Sequence, residues 1–104
     1  LAKARKKAPP LESKFKTRVL ADLRKLPNTW AEKIQQVGIC GTPDVLACIN
    51  GRFVALELKR ERGGKPDALQ AYALGQIVRA RGFAVIAYPE NWPSVYAELE
   101  ILAA

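Results

Sequence analysis

The chain has no histidine, no methionine and only two cysteines, Cys40 and Cys48. Without histidine, and with two thiols at most, a structural zinc site is close to excluded. Any bound metal is expected to be a hard ion held by oxygen, such as Mg²⁺ or Mn²⁺. Two cysteines make a poor disulfide framework, so the chain fits a reducing compartment, and Cys48 is expected to pack inside a sheet. No hydrophobic run approaches transmembrane length, and the basic start LAKARKKAPP lacks the apolar stretch of a signal peptide. The expected location is intracellular, in the cytoplasm of a bacterial host if the chain is phage-encoded. With Leu1 first and no Met, the native start is expected to lie upstream or to have been removed. Internal repeats and a second domain are also missing.

What remains is a chain of 104 residues, enough for one domain with its own core. Apolar residues are 49% and charged residues 26%, the values of a globular protein. The net charge of +7 favours a polyanionic partner, nucleic acid first. An anionic membrane surface is the rival, but the amphipathic segments are short and core-facing, so no membrane partner is expected.

The stretch Gly41 to Lys59, GTPDVLACINGRFVALELK, reads as one β-hairpin. Asn50-Gly51 is the strongest short hairpin signal, because both residues tolerate positive φ. This turn pairs Ile49 with Arg52, Cys48 with Phe53, Leu46 with Ala55 and Asp44 with Glu57. Asp44, Leu46 and Cys48 then share a face with Phe53, Ala55, Glu57 and Lys59. The two carboxylates oppose each other at roughly 5 Å between Cβ atoms, a repulsive pairing that a divalent cation would offset. The other face, Val45, Ala47 and Ile49 with Val54, Leu56 and Leu58, is wholly apolar. A strand pair apolar on both sides belongs in the middle of a sheet with helices packed on it. Charges placed there are costly.

The rest of the chain is arranged around this hairpin. Residues 1–9 form a basic arm with Lys3, Arg5, Lys6 and Lys7, either a solvated tail or a grip on phosphates. Pro10 opens a helix to residue 26, with Leu11, Phe15, Val19, Leu23 and Leu26 on its apolar stripe. Lys14, Lys16, Arg18, Arg24 and Lys25 take the other face, so nine of the seventeen basic residues fall in the first 25 positions. Glu12 is either a first-turn acid complementing the helix dipole or a group pointing toward the carboxylate pair. Residues 28–36 read as a strand with Trp30, Glu32, Ile34 and Gln36 on one face. Arg60 to Lys65, RERGGK, is a basic loop carrying Arg60, Arg62 and Lys65. Pro66 opens a helix to about Arg81, with Leu69, Tyr72, Ala73, Ile77 and Ala80 on its stripe and Gln70 in its first turn. Phe83 to Tyr88 is a strand of the central type, parallel to 52–59 through a right-handed crossover. A last helix covers about Ser94 to Leu102. Trp92, Tyr96 and that helix are candidates for a dimer surface, with core packing as the alternative.

Phosphodiester hydrolysis assisted by a metal needs carboxylates for the ion, a placed water and a cation for the developing phosphate charge. Asp44 and Glu57 supply the carboxylates, the backbone carbonyl of Leu58 adds a ligand, and Lys59 is placed for the water or the phosphate. The plainer reading of Glu57 and Lys59 is a strand ion pair.

Gly41-Thr42-Pro43-Asp44, then Glu57-Leu58-Lys59 across a hairpin, then Gln70 early in the next helix, resembles the PD-(D/E)XK nuclease superfamily. From about Leu11 to Tyr88 the chain is similar to the stand-alone, virus-type VRR-NUC domain. The resemblance implies a restriction-endonuclease-like α/β fold, an αβββαβ core with a central mixed four-stranded sheet flanked by helices, spanning residues 10–104. It implies a Mg²⁺- or Mn²⁺-dependent, structure-specific endonuclease, with stand-alone members resolving Holliday junctions as homodimers. Carried over by position, Asp44 and Glu57 are metal ligands, Lys59 the catalytic lysine and Gln70 a positioning residue. Glu12 matches a first-helix acid and is a further candidate ligand. The nucleic-acid surface is expected at Lys3, Arg5, Lys6, Lys7, Lys14, Lys16, Arg18, Arg60, Arg62 and Lys65. The alternatives are a nicking, flap-processing or restriction-like nuclease, and a non-catalytic nucleic-acid-binding module.

Overall fold

The computed structural model describes residues 11–34 and 41–104, without the side chains of 11–13. Three helices and four strands follow in the order α1 (Leu11–Leu23), β1 (Thr29–Lys33), β2 (Val45–Ile49), β3 (Arg52–Leu58), α2 (Ala68–Arg79), β4 (Phe83–Ala87) and α3 (Trp92–Ala103). The fold is mixed α/β. One sheet runs β1-β2-β3-β4, antiparallel over the first three strands and parallel between β3 and β4.

The hairpin sits at the centre of the sheet, as its two apolar faces require. Asn50 (φ 51°) and Gly51 (φ 86°) take the left-handed turn, and β2 meets β3 with Ile49 opposite Arg52 and Val45 opposite Leu56. The expected register therefore holds. Val45, Ala47, Ile49, Val54, Leu56 and Leu58 are all buried on one face. They meet Phe15, Val19, Leu23 and Leu26 from the α1 segment, which recur at helical spacing, and Trp92, Val95 and Leu99 from α3. Trp92 is a keystone of this layer. Its ring stands edge-on to Phe15 at 6.3 Å, its indole N–H donates to Asp22 Oδ2 at 2.8 Å, and Tyr96 packs against it. The Tyr96 hydroxyl donates to the Asp22 carbonyl, and its phenol is raised above its ordinary value by burial first, then by Glu100 and Asp22.

The opposite face differs from the sequence expectation. α2 packs over β3 and β4, burying Ala55 and Glu57, but leaves the β1–β2 half of this face open. Trp30, Cys48 and Phe53 align across three strands there, with Trp30 61% and Phe53 46% exposed. Cys48 is thus exposed rather than packed inside. One helix, about 10 Å across, covers only about two strands at their spacing of roughly 4.8 Å.

Other boundaries move for local reasons. The second helix starts after Asp67, not at Pro66, because the Asp67 carboxylate caps the Gln70 N–H at 2.8 Å. Its buried residue is Leu74, while Leu69 and Tyr72 face outward. α1 ends at Leu23, and Leu26 reaches the core from the turn beyond. β1 is shorter than residues 28–36, and Gln35 and Gln36 lie outside the described residues. β4 runs parallel to β3 as expected, but at the sheet edge, where four of its five residues are only half-buried. α3 begins two residues early, at Trp92, with Pro93 in its first turn where a missing N–H costs little. Trp92 is buried and so takes no part in a dimer surface.

Candidate active site

The chemistry-bearing residues of the hairpin converge where β2 begins and β3 ends. Asp44 stands one residue before β2, and two contacts hold it. Its carbonyl accepts the Ile34 N–H at 2.8 Å, and its Oδ2 accepts the Leu58 N–H at 2.8 Å. The side chain thereby takes over a ladder position, which joins Asp44 to β3 after regular pairing has stopped. The alternation of an antiparallel ladder turns the Leu58 carbonyl to the same side as its N–H, toward Asp44.

Glu57 is 2% exposed, the buried charged residue of the described core. Its Oε2 lies 3.4 Å from Lys59 Nζ, across two positions of one strand face. Lys59 follows β3 directly with its N–H bound to the Ala87 carbonyl at 2.8 Å, so the parallel neighbour fixes the backbone that carries the ammonium.

Asp44 and the Glu57–Lys59 segment thus lie at one end of two adjacent central strands, joined through the Leu58 N–H. Two carboxylates and one carbonyl form an all-oxygen donor set that suits Mg²⁺ or Mn²⁺, ions that keep several waters and need few protein ligands. Among the described residues no cluster of three or more acids, histidines or cysteines forms around a metal position. The fit is therefore to a partly hydrated ion on these two carboxylates. Glu12 lies within α1, but its side chain is outside the described residues.

Gln70 has a different immediate task. It occupies the third position of α2, and its Oε1 accepts the Asp67 N–H at 3.0 Å, completing a capping box. No described contact joins it to Asp44 or Glu57.

Lys16, expected on the cationic face of the first helix among the nucleic-acid contacts, also brings Nζ to 3.7 Å from Asp44 Oδ1, a contact the sequence does not show. Each carboxylate of the site therefore has its own lysine. The signal was weak in the sequence: only the packing angle of α1 over the sheet decides which cationic residue meets Asp44.

Gly64 is the other omission. A Cβ at this position would stand 3.0 Å from Lys59 Cβ and 3.1 Å from Lys59 Cγ. The loop after β3 folds back on the stem of the lysine, and its glycine leaves room for that stem. If the site cleaves phosphodiesters with a bound metal, Gly64→Ala is expected to displace the Lys59 ammonium and lower kcat about 10-fold, with Mn²⁺ affinity unchanged, because misplacing a reacting group by about 1 Å costs up to about 100-fold. Single-turnover cleavage alongside metal titration measures both. Gly41 is constrained more tightly, since it combines φ +88° with a would-be Cβ 2.9 Å from the Leu69 carbonyl oxygen. That close approach packs the segment entering Asp44 against the start of α2.

Further cations lie on the helix and loop that carry Lys16 and follow Lys59. Lys14, Arg18 and Arg60 line one hollow of about 240 Å³ with Phe15 and Pro89, bringing α1 and the loop after β3 together. A wider groove of about 460 Å³ between α1 and β1 is lined in part by Lys16, Thr17, Arg24 and Lys33. Arg24 is engaged there with the Ala31 carbonyl and with Glu32. Arg62 and Lys65 are exposed on the same loop as Arg60. Lys3, Arg5, Lys6 and Lys7 lie outside the described residues. No helix among the described residues is long and apolar enough to cross a membrane.

Comparison with known proteins finds no matching family model, no similar curated protein and no similar solved structure. The functional reading accordingly stands on the residues themselves and on the resemblance of their pattern.

Proposed function

We propose that the protein is a Mg²⁺- or Mn²⁺-dependent, structure-specific DNA endonuclease that resolves four-way junctions as a homodimer, on a restriction-endonuclease-like core. The observation that supports this reading is that Asp44 bonds the backbone N–H of Leu58, the residue between the ion-paired Glu57 and Lys59, at the end of the two central strands. Glu57, 2% exposed beside Lys59, is an expensive arrangement for a strand end that needed only stability.

Asp44, Glu57 and the Leu58 carbonyl would hold the ion. A bound divalent ion supplies a polarised phosphate oxygen and a more acidic water. Lys59, tied to β4 through its backbone, orients the attacking water by donating to its oxygen, or neutralises charge developing on the phosphate. The hydrolysis adds water across one P–O bond, leaving a phosphate on one strand end and a hydroxyl on the other. Lys14, Arg18, Arg60, Arg62 and Lys65 hold the flanking backbone, a sequence-independent grip that weakens with salt. Two symmetric strands require two sites, which a twofold dimer presents.

The test is incubation of the purified protein with a four-way junction and Mg²⁺. Paired symmetric nicks that disappear in EDTA are expected. Equal cleavage of linear duplex counts against junction resolution, and preference for flaps assigns a nicking or flap-processing nuclease instead. A monomer at micromolar concentration removes the basis for paired cuts.

One observation favours a second reading. Lys16 and Lys59 each neutralise one carboxylate, so the site balances its charge without a metal. A non-catalytic nucleic-acid-binding module would keep this arrangement. Failure of Mn²⁺ to bind in an Asp44- and Glu57-dependent way would select it.

A further inference from the structure

Lys16 reaches the site from α1, outside the strands that build it, and it meets one particular oxygen. Asp44 Oδ2 is engaged by the Leu58 N–H, so Oδ1 is the oxygen turned to a cation, and Lys16 Nζ lies 3.7 Å from it. The two side chains are 25% and 22% exposed, so the pair is accessible and not locked in the core. The same lysine lines the open groove between α1 and β1, together with Thr17, Lys33 and Arg24, the last paired there with Glu32. It therefore stands between a carboxylate on one side and, on the other, a groove whose lining keeps a net positive charge through Lys33. A lysine ammonium on a flexible four-carbon stem can serve either position.

We propose that Lys16 is a latch on Asp44: it competes with the divalent ion for Oδ1, and it releases to the phosphate backbone when DNA enters the groove. This rests on the reading of Asp44 as a metal ligand. An ammonium beside a carboxylate repels an incoming dication and offers its own charge in its place. DNA phosphates draw the ammonium away, so DNA tightens metal binding and, by reciprocity, metal tightens DNA binding by the same factor. The free protein holds metal weakly, and the site is loaded fully on its substrate. Because the pair is partly exposed, the effect is modest, about 2- to 5-fold in metal affinity.

The experiment compares wild type with Lys16→Met, Lys16→Arg and Asp44→Asn. Calorimetric Mn²⁺ titration of the DNA-free protein is expected to give about 2- to 5-fold tighter binding in Lys16→Met. Lys16→Arg should keep the wild-type value, and Asp44→Asn should lose the site. Fluorescence anisotropy of a labelled junction, in Ca²⁺ and in EDTA, reads the coupling. The gain in DNA affinity with Ca²⁺ should be smaller in Lys16→Met by that same factor. Lys16→Met binding Mn²⁺ no more tightly than wild type, with Asp44→Asn still deficient, overturns the latch and leaves the metal reading standing. Tighter Mn²⁺ binding with an unchanged Ca²⁺ gain overturns the release to DNA. If no Mn²⁺ binding depends on Asp44, the metal reading fails and the latch with it.

Discussion

Lys59→Met is expected to lower junction cleavage by about 10²- to 10³-fold, the loss typical when one preorganised donor is removed from a transition state. The substitution keeps the length of the stem and removes its charge. The Lys59 N–H stays bonded to the Ala87 carbonyl, so the strand end keeps its place. What changes is the partner of Glu57, whose carboxylate is buried and 3.4 Å from the lysine. Leaving that charge without its ammonium is expected to lower stability in EDTA by about 1–3 kcal/mol. Divalent ions should recover part of the loss, because they bind the folded site and not the open chain. Cleavage rates in Mg²⁺, with thermal melts in EDTA and in Mg²⁺, separate the effects. Unimpaired cleavage would remove Lys59 from the chemistry, and an unchanged melt with lost cleavage would show that Glu57 does not depend on the pair for its burial.

Trp92→Ala carries the largest expected cost in stability, about 3–5 kcal/mol. The residue is 1% exposed, and its loss opens a hole between α1 and α3 lined by Phe15 and Tyr96. It also takes the indole donor from Asp22, whose remaining partners Arg18 and Lys25 lie 3.9 and 3.7 Å away. For a domain of this size the midpoint of thermal unfolding should fall by tens of degrees. Trp92→Phe keeps most of the volume and should cost only about 1–2 kcal/mol, chiefly the hydrogen bond. Similar losses in the two variants would mean that the bond, not the packing, holds the helices together. Activity per folded molecule should be unaffected in Trp92→Phe, because no described contact joins Trp92 to the site.

The two predictions separate the two faces of the sheet. On one, apolar side chains from the hairpin, α1 and α3 form a closed core in which stability resides. On the other, α2 covers only β3 and β4, and the buried Glu57 lies under that partial cover. A carboxylate burial that lowers stability is tolerated there because the opposite face supplies the core.

The hairpin and its register were legible from Asn50-Gly51 and the alternation on either side. A two-residue turn sets every cross-strand pair from Ile49–Arg52 to Val45–Leu56, and the regular pairing stops one step short of Asp44 and Glu57, where the Asp44 carboxylate bonds the Leu58 N–H instead. The parallel placement of β4 was also readable, from the helix that separates it from β3. Cys48 was misread because strand alternation assigns a face but cannot say whether a helix covers it. Leu69 and Tyr72 were misread for a related reason: a stripe of apolar residues on α2 is wider than the part of it that meets the sheet, and Leu74 took the buried position. Gln70 reads as a site residue by spacing, but locally it completes the cap of its own helix.

The hairpin, its register and the pairing of Glu57 with Lys59 on one strand face were determined by the sequence alone, because they depend on turn chemistry and a period of two. That Lys16 rather than another α1 cation meets Asp44, that Gly64 folds over the Lys59 stem, and that half of one sheet face stays open were decided only by the tertiary structure. Those outcomes depend on how helices and loops lie across the strands, and no local periodicity carries that angle.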